Sequence, residues 1–369
     1  MLSSTLHVLY TDRASLERLG PILEMLPQPP PGARIAIKPN LVVPKPSLSG
    51  ATTDPALVES IVAYLQSKGH TDIRIIESSA IGQSTKRAFE ICGYETIHRN
   101  YGVPLIDLKK DKTVPVSMED LQIDVCREAL QTDFLINVPV LKAHCQTRIT
   151  CALKNLKGCI PDQEKRRFHQ LGLHRPIAAL GRAIKTHWTI VDGIVGDLTF
   201  EEGGTPIHMG RIIVGDDPVL VDTYVLQLLG YKLDDVPYIA QAASWNVGST
   251  DLDSAQIIEH LLGDRPPLAA QPANPIADRY RQYIDEREAC SACYGSLIYA
   301  LKRYEEHHGR LPSNLKFTIG QGFADAQAPS DSLDTTGSRL GIGLCTATIC
   351  QNYVSGCPPT ARQILKRLL

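Results

Sequence analysis

The chain has 369 residues, of which 43% are hydrophobic and 21% are charged, so it is long enough for two or three domains. This composition excludes disordered and fibrous proteins. The formal net charge of −2 leaves no excess of positive charge to neutralise a phosphate backbone. We therefore exclude nucleic acid as a partner, but not a small anion.

Two further features bear on the compartment. No apolar run approaches the roughly 20 residues that a membrane-spanning helix needs, and the first residues lack a secretory signal pattern. We predict a cytoplasmic protein with no membrane partner. Because the cytosol keeps thiols reduced, the ten cysteines are expected to bind metal, serve catalysis or pack in the core.

In the first two thirds of the chain, apolar runs rich in β-branched residues alternate with amphipathic segments. The predicted strands are LHVLY, ARIAIKPN, DIRIIES, DFLINVPV, HWTIVDGIV and RIIVGDD, and the predicted helices include ASLERLGPILEML and ALVESIVAYLQSKG. Asp54 before Pro55 and Asp217 before Pro218 predict helix starts, and Gly69 predicts a helix end. This alternation indicates an α/β domain with a largely parallel sheet flanked by helices.

A proline-rich stretch divides the chain. Residues 263–275 contain four prolines and little periodic apolar pattern, which predicts a linker at 264–275. We expect an α/β domain at 1–263 and a small, mostly helical, cysteine-rich domain at 276–369. Within the second, the pattern predicts one helix from Ile276 to about Glu288 and another that ends near His308.

Four cysteines in the second domain have a spacing typical of metal and cluster sites. Cys290 and Cys293 form a C-x2-C pair, while Cys345 lies in GIGLC and Cys357 in GCPP. The glycines allow backbone N–H groups to approach the sulfur atoms closely. A helix predicted at ARQILKRLL directs its positive end at the same place. These features favour a [4Fe-4S] cluster.

Two other interpretations of these thiols remain open. Cys290, Cys293, Cys345 and Cys350 give C-x2-C and C-x4-C, a spacing that structural zinc sites also use. Alternatively, the thiols hold no ligand. Cys350 distinguishes the zinc site from the cluster, because it is the fourth ligand in the zinc site and a spare thiol beside a cluster.

Several apolar runs end in polar residues, at the edge of a parallel sheet where ligands usually bind. The substrate-binding candidates at these ends are Lys38, Asn40, Asn137 and Asp192, and the run that ends in Asn137 leads to Lys142 and His144. Loop residues and helix caps are the plainer interpretation, since Asn and Asp often serve both.

Cations concentrate between Lys142 and Arg175, where acids are few, and this predicts a site for a carboxylate or phosphate. The strongest anion-binding candidates are Lys154, Asn155 and Lys157, and the candidates for catalysis are Lys142, His144 and His169. We expect Arg166, Arg167 and His169 in a mobile loop over the site. The alternative is a solvated surface.

The remaining cysteines, Cys92, Cys126, Cys145, Cys151 and Cys159, match no ligand spacing, even with His144 added. We expect them to be buried as small apolar residues. The chain also lacks the glycine-rich nucleotide-binding motifs and the G-x-S-x-G motif of serine hydrolases.

Six motifs together resemble the domain of unknown function 362 family over about residues 33–230. They are KPNLV, GATTDP, NVPVLKAH, LKNLKG, VDGIVG and DPVLVD. The tail resembles the cysteine-rich extension of members described as iron–sulfur cluster-binding proteins. That resemblance implies Cys290, Cys293, Cys345 and Cys357 as cluster ligands. Other members carry a ferredoxin-like module instead, which implies that the α/β domain works with an electron supply.

Three functions follow from these observations. The first is an iron–sulfur redox protein whose [4Fe-4S] cluster passes single electrons to a small anionic substrate or cofactor, with an electron-donor protein as partner. A fully ligated cluster favours electron transfer over Lewis-acid chemistry. The second is an isomerase or lyase of a small hydroxy or carboxylic acid. The third is a zinc-stabilised binding or assembly protein.

Overall fold

The structure is a computed structural model that describes residues 5–262, 272–273, 275–324 and 339–369. Two compact units are present: Met1–Lys165 with His174–Asn274, and Arg166–Leu173 with Pro275–Leu369. Most of the linker predicted at 264–275 lies outside the described residues. The boundaries 1–263 and 276–369 therefore stay predictions.

Secondary structure is distributed over both units. The strands are β1 (Thr5–Tyr10), β2 (Ile35–Pro39), β3 (Ile73–Glu77), β4 (Leu105–Asp107), β5 (Thr113–Met118), β6 (Leu121–Cys126), β7 (Phe134–Val138), β8 (Lys142–His144), β9 (Arg148–Thr150), β10 (Trp188–Gly196), β11 (Ile207–Gly215), β12 (Gln256–Leu261), β13 (Ile284–Glu286), β14 (Lys316–Ile319), β15 (Arg339–Ile342) and β16 (Tyr353–Val354). The helices are α1 (Gly20–Leu23), α2 (Pro55–Ser67), α3 (Thr85–Ile91), α4 (Tyr94–Tyr101), α5 (Arg127–Leu130), α6 (Ala152–Asn155), α7 (Asp162–Gln170), α8 (His174–Ala183), α9 (Pro218–Leu228), α10 (Pro237–Ser244), α11 (Ala277–Tyr280), α12 (Ser291–His308) and α13 (Ala361–Leu368).

The first unit is built on an eight-stranded sheet in the order β12-β1-β11-β10-β7-β2-β3-β4. Strand β11 is antiparallel to both of its neighbours, and the other adjacent pairs are parallel. All residues of β2, β7 and β10 are buried, as expected for central strands covered by helices on both faces. The predicted α/β fold with a largely parallel sheet is confirmed.

Helix starts in this unit follow from local chemistry. Asp54 accepts a hydrogen bond from the backbone N–H of Ala56 at the start of α2, and Asp217 caps α9 in the same way. Gly69, just beyond the end of α2, has the left-handed φ of 85° that favours glycine. These three predictions are confirmed.

The second unit combines helices with a small sheet. Its four strands, β13 to β16, are all parallel and lie in chain order. The predicted long helix ending at His308 is confirmed as α12. The helix expected from Ile276 to about Glu288 is wrong: only α11 is helical there, and the chain then makes a 3-10 turn and enters β13.

The cationic segment was also expected to hold a loop. Arg166, Arg167 and His169 instead lie on helix α7, so that expectation is wrong. Acidic residues in the first turn of α7 and basic residues in its last turn suit the helix dipole. Among the described residues, no helix has the length and apolar character needed to span a bilayer.

Candidate functional site

The carboxyl ends of β2 and β3 bring a lysine and a glutamate together. The Nζ of Lys38 lies 2.9 Å from Oε2 of Glu77, and both side chains are almost fully buried. Glu77 also accepts hydrogen bonds from the backbone N–H groups of Leu41 and Ser78. A Cβ on Gly158 would lie 2.2 Å from Glu77 Oε1, so only glycine allows this close approach. Lys38 is therefore held inside the structure by an ion pair.

A chain of amides extends from this ion pair. Asn40 donates to Asn155 Oδ1 at 2.8 Å, and Asn155 donates to Asn137 Oδ1 at 2.8 Å. Lys142 donates to Asn40 Oδ1 at 2.9 Å and to the carbonyl of Ala51. Four residues predicted from strand ends and from the cationic segment thus form one buried hydrogen-bond network. Their role in binding stays a prediction.

His144 lies beside Glu201, a glutamate that was not among the predicted site residues. The ring is fully buried, and its Nε2 lies 2.5 Å from Oε2 of Glu201. Its Nδ1 accepts hydrogen bonds from the backbone N–H groups of Gln146 and Thr147 at 3.0 and 3.1 Å. Nδ1 therefore carries no proton, and the proton of the neutral ring is on Nε2, facing Glu201.

Burial and neighbouring charges set the protonation states of His144 and Glu201. Burial lowers the pKa of His144 to about 4, against the attraction of Glu201. Burial alone would raise the pKa of Glu201, but His144, Lys154 and Lys142 together lower it to about 2. At neutral pH the pair is a neutral imidazole and a carboxylate. We call Lys142, His144, Lys154 and Glu201 the buried charge cluster.

The same region contains a candidate metal group. Among the described residues, His144, Cys145 and Glu201 are the group of three whose ligand atoms all lie within 4.8 Å of one another. A ligating histidine normally donates its other ring N–H to an acceptor, whereas Nδ1 of His144 accepts two hydrogen bonds. Burial also raises the pKa of Cys145, and a metal needs the thiolate. The group fits a proton network better than a metal ion.

Lys154 is the cation of the cluster with the fewest partners. Within the described part of the chain, its hydrogen bonding is limited to Thr150 Oγ1 at 3.3 Å, and Glu201 Oε2 lies 3.8 Å away. Its side chain is 9% exposed, and burial lowers its pKa. An ammonium has three donors. Lys154 can therefore bind an incoming anion. Lys157, on the next turn, is half-buried and close enough to lower the pKa of His144.

Two other buried groups titrate close to neutrality. Burial lowers the pKa of Lys142 to about 7. Burial raises the pKa of Asp192 to about 7, although its oxygens accept hydrogen bonds from the backbone N–H groups of Asp54 and Ile194. Asp192 therefore contacts the start of α2, where it holds the capping residue.

Four of the cysteines of the second unit lie at the carboxyl edge of its sheet. Cys290, Cys345 and Cys357 follow the ends of β13, β15 and β16 by three or four residues, and these strands are parallel. Cys290 is the N-cap of α12, and Cys293 lies in its first turn. The positive end of an 18-residue helix therefore adjoins the thiols, which favours negative charge there.

These thiols influence one another. Burial raises the pKa of Cys293, and Cys290, Cys357 and Cys345 raise it further. Gly343, with a φ of 89°, passes close to the same thiol, because a Cβ on it would lie 3.7 Å from Cys293 Sγ. Cys350 lies in the connection between β15 and β16: it is buried, and a Cβ on Gly341, within β15, would lie 2.9 Å from its Cβ.

His169 belongs to the second unit. Its Nε2 lies 3.4 Å from both the backbone N and the Oγ of Ser291, the first residue of α12. Cys92, Cys126, Cys145, Cys151 and Cys159 are all buried, as predicted. Cys145 nevertheless contacts Glu201 Oε1 through its sulfur at 3.9 Å.

Sequence reasoning missed Glu201 and its neighbour Glu202. Burial and repulsion from Glu201 raise the pKa of Glu202 to about 7. The signal available was the EEGG stretch that follows the run WTIVDGIVG, where two acids precede two glycines. Nothing in that stretch identifies His144 as the partner, because 57 residues separate it from Glu201 along the chain.

Comparison with known proteins provides relatives. The chain is similar to a thylakoid-associated protein of Synechocystis sp., with 26% identity over 229 residues that cover 59% of this chain and 69% of that protein. Among solved structures it is similar to the lactate racemase apoprotein from Thermoanaerobacterium thermosaccharolyticum, with a TM-score of 0.40 and 11% identity over 61% of this chain. A Thermotoga maritima protein gives a TM-score of 0.37 and 14% identity over 64% of this chain.

The alignments cover 57% and 58% of these two solved chains, less than two thirds of either. The family model described as domain of unknown function (DUF362) matches residues 35–227, just over half of the chain. This range includes the buried charge cluster, the amide network and the Lys38–Glu77 ion pair. The chain belongs to the domain of unknown function 362 family.

Proposed function

We propose that the chain is an iron–sulfur redox protein. Cys290, Cys293, Cys345 and Cys357 hold a [4Fe-4S] cluster, and the first unit binds the small anionic substrate or cofactor that receives the electrons. The observation that carries the proposal is the position of the four cysteines, at one edge of a parallel sheet and at the positive end of α12.

The spacing of the thiols supports a cluster over zinc. Zinc–sulfur bonds of about 2.3 Å in a tetrahedron put the sulfur atoms roughly 3.8 Å apart. Within the described residues, no three cysteines of the second unit have their sulfur atoms within 4.8 Å of one another. In a [4Fe-4S] cluster each thiolate binds a different iron atom. The four sulfur atoms therefore lie farther apart than they do around a single zinc ion.

When bound, the cluster supplies single electrons. The chain's own residues hold it through four thiolates and offset their charge with the N-terminus of α12. In the first unit, Lys154 binds the anionic group of the substrate, since its ammonium has donors to spare beside Thr150. Lys157 adds positive charge next to it. An electron-donor protein is the expected partner, and the cytoplasm is the proposed location.

A second candidate function is acid–base chemistry on a small hydroxy or carboxylic acid. The observation that favours it is Glu201, which stays ionised next to the anion-binding Lys154, 3.8 Å away. A carboxylate in that position can take a proton from a bound substrate, and His144 keeps it oriented. In this case the cluster has a structural role.

Two cysteine variants test the proposal. After purification without oxygen, Cys357→Ala is expected to lose most of the iron and the visible absorption that dithionite bleaches. Cys350→Ala is the matched control and is expected to keep both, because Cys350 packs against Gly341. The opposite pattern, with one zinc per chain lost in Cys350→Ala and retained in Cys357→Ala, would contradict the cluster and favour a zinc-stabilised binding protein.

A further inference from the structure

The second half of α7 lies against the cysteine edge of the second unit. Gln321, just after β14, donates through Nε2 to the backbone carbonyl of Arg166 at 3.1 Å. The same side chain donates to the carbonyl of Glu288, two residues before Cys290. His169 adds the contact with Ser291 at 3.4 Å. Helix α7 is thus linked to the loop that carries Cys290 through the backbone of Arg166 and the side chain of His169.

Arg166 carries a positive charge close to this loop. Within the part of the chain that the structure describes, its guanidinium makes no ion pair and no side-chain hydrogen bond, although the side chain is half-buried. Its charge acts on the thiols instead. Arg166 lowers the pKa of Cys293 and of Cys345, which burial and the neighbouring thiols raise. The geometry agrees with this influence, because the side chain of Gln321 bridges the carbonyl of Arg166 and that of Glu288 and so places Arg166 beside the loop that carries Cys290.

We propose that Arg166 is the counter-charge of the cluster site and sets the reduction potential of the cluster. The inference rests on the proposed function, because it requires a redox-active cluster at the four cysteines. It adds a positioning charge that comes from α7, remote in sequence from every cysteine of the tail.

The direction of the effect follows from charge. Reduction adds one electron, so the reduced cluster with its four thiolates is more negative than the oxidised one. A guanidinium stays protonated at all relevant pH values, and it stabilises the more negative state. Net charge near the cluster is one of the factors that set its potential. Arg166 therefore raises the midpoint potential.

The test is a redox titration of protein purified without oxygen, followed by visible absorption. We expect the midpoint potential of Arg166→Gln to shift to a more negative value than that of the wild type. Arg166→Lys keeps the charge and is expected to recover most of the shift. Arg167→Gln, the neighbouring position on α7, is the control for net charge and is expected to match the wild type.

The outcomes separate the two proposals. A wild-type chain without a reducible cluster overturns the proposed function and this inference with it. Equal potentials in wild type and Arg166→Gln, at equal iron content, overturn the inference alone. If Arg166→Gln loses its iron, retention in Arg166→Lys supports the role of the charge, whereas loss in both variants overturns it.

Discussion

At the scale of single residues, Glu201 is the carboxylate that compensates the positive charge of the buried charge cluster. Its carboxylate lies between the imidazole of His144 at 2.5 Å and the ammonium of Lys154 at 3.8 Å. Removing one partner of a buried pair leaves the other charge uncompensated, which costs about 3–5 kcal/mol. We expect Glu201→Gln to lower the free energy of unfolding by about that amount in urea denaturation.

The pH dependence of the Glu201 effect has a defined sign. The pKa of Glu201 is about 2 in the folded protein and 4.5 ordinarily, so its stabilising contribution is complete above pH 4.5 and disappears as the pH falls through 2. The stability gap between wild type and variant should close over that range. Glu90→Gln, an exposed position, is the control. Equal losses of unfolding free energy in Glu201→Gln and Glu90→Gln would contradict this role of Glu201.

Lys142 predicts a pH dependence of the same sign in a higher pH range. Its folded pKa of about 7 lies below the ordinary 10.5, so the unfolded chain binds more protons between these values and stability rises with pH. The limiting slope is about 1.4 kcal/mol per pH unit. Relative to Lys142→Met, the wild type should gain stability between pH 7 and 9, as measured by urea midpoints. A constant difference would show that Lys142 titrates normally.

At the scale of elements, α6 positions Lys154 and Asn155 although four residues cannot form a stable helix alone. Asp222 of α9 supplies the hydrogen-bond acceptor for the first backbone N–H groups of this short helix. Its carboxylate accepts hydrogen bonds from the N–H groups of Ala152 at 2.7 Å and Leu153 at 3.0 Å. The site residues of α6 are therefore held by tertiary contacts.

The 3-10 turn after α6 (Leu156–Cys159) leads to another prediction at this scale. The Cβ of Gly158→Ala would lie 2.5 Å from the Lys38 ammonium and closer still to Glu77, so the buried ion pair must shift from its position. We expect a loss of stability of about 3–5 kcal/mol in thermal or urea unfolding. Gly20→Ala is the control, because its Cβ would meet Tyr64 at an ordinary 3.6 Å. Similar unfolding midpoints for both variants would contradict the account.

At the scale of the whole molecule, the sequence predicted the α/β architecture because each central strand of the first unit is a predominantly apolar run that is buried along its whole length. It could not predict the antiparallel direction of β11, because the apolar pattern of a buried strand is the same in a parallel and in an antiparallel pairing. The strands of the second unit are two to four residues long, too short for any periodicity to appear. The prediction of a helix at Ile276–Glu288 was wrong because the three-residue strand β13 within that range has no recognisable pattern.

The candidate site was predictable in the same uneven way. Lys38, Asn40 and Asn137 stand at strand ends, and topology alone brings strand ends together. Glu201 and Arg166 come from other parts of the chain and meet their partners through tertiary packing, for which one sequence carries no signal. The cysteines were predictable from spacing, but their convergence at one sheet edge was not.

The most direct measurement of the central claim is the iron, sulfide and zinc content of the wild-type chain purified without oxygen, with a spectrum before and after dithionite. The account predicts about four irons and four sulfides per chain and absorption that dithionite bleaches. One zinc per chain, with no sulfide and no bleaching, would contradict it.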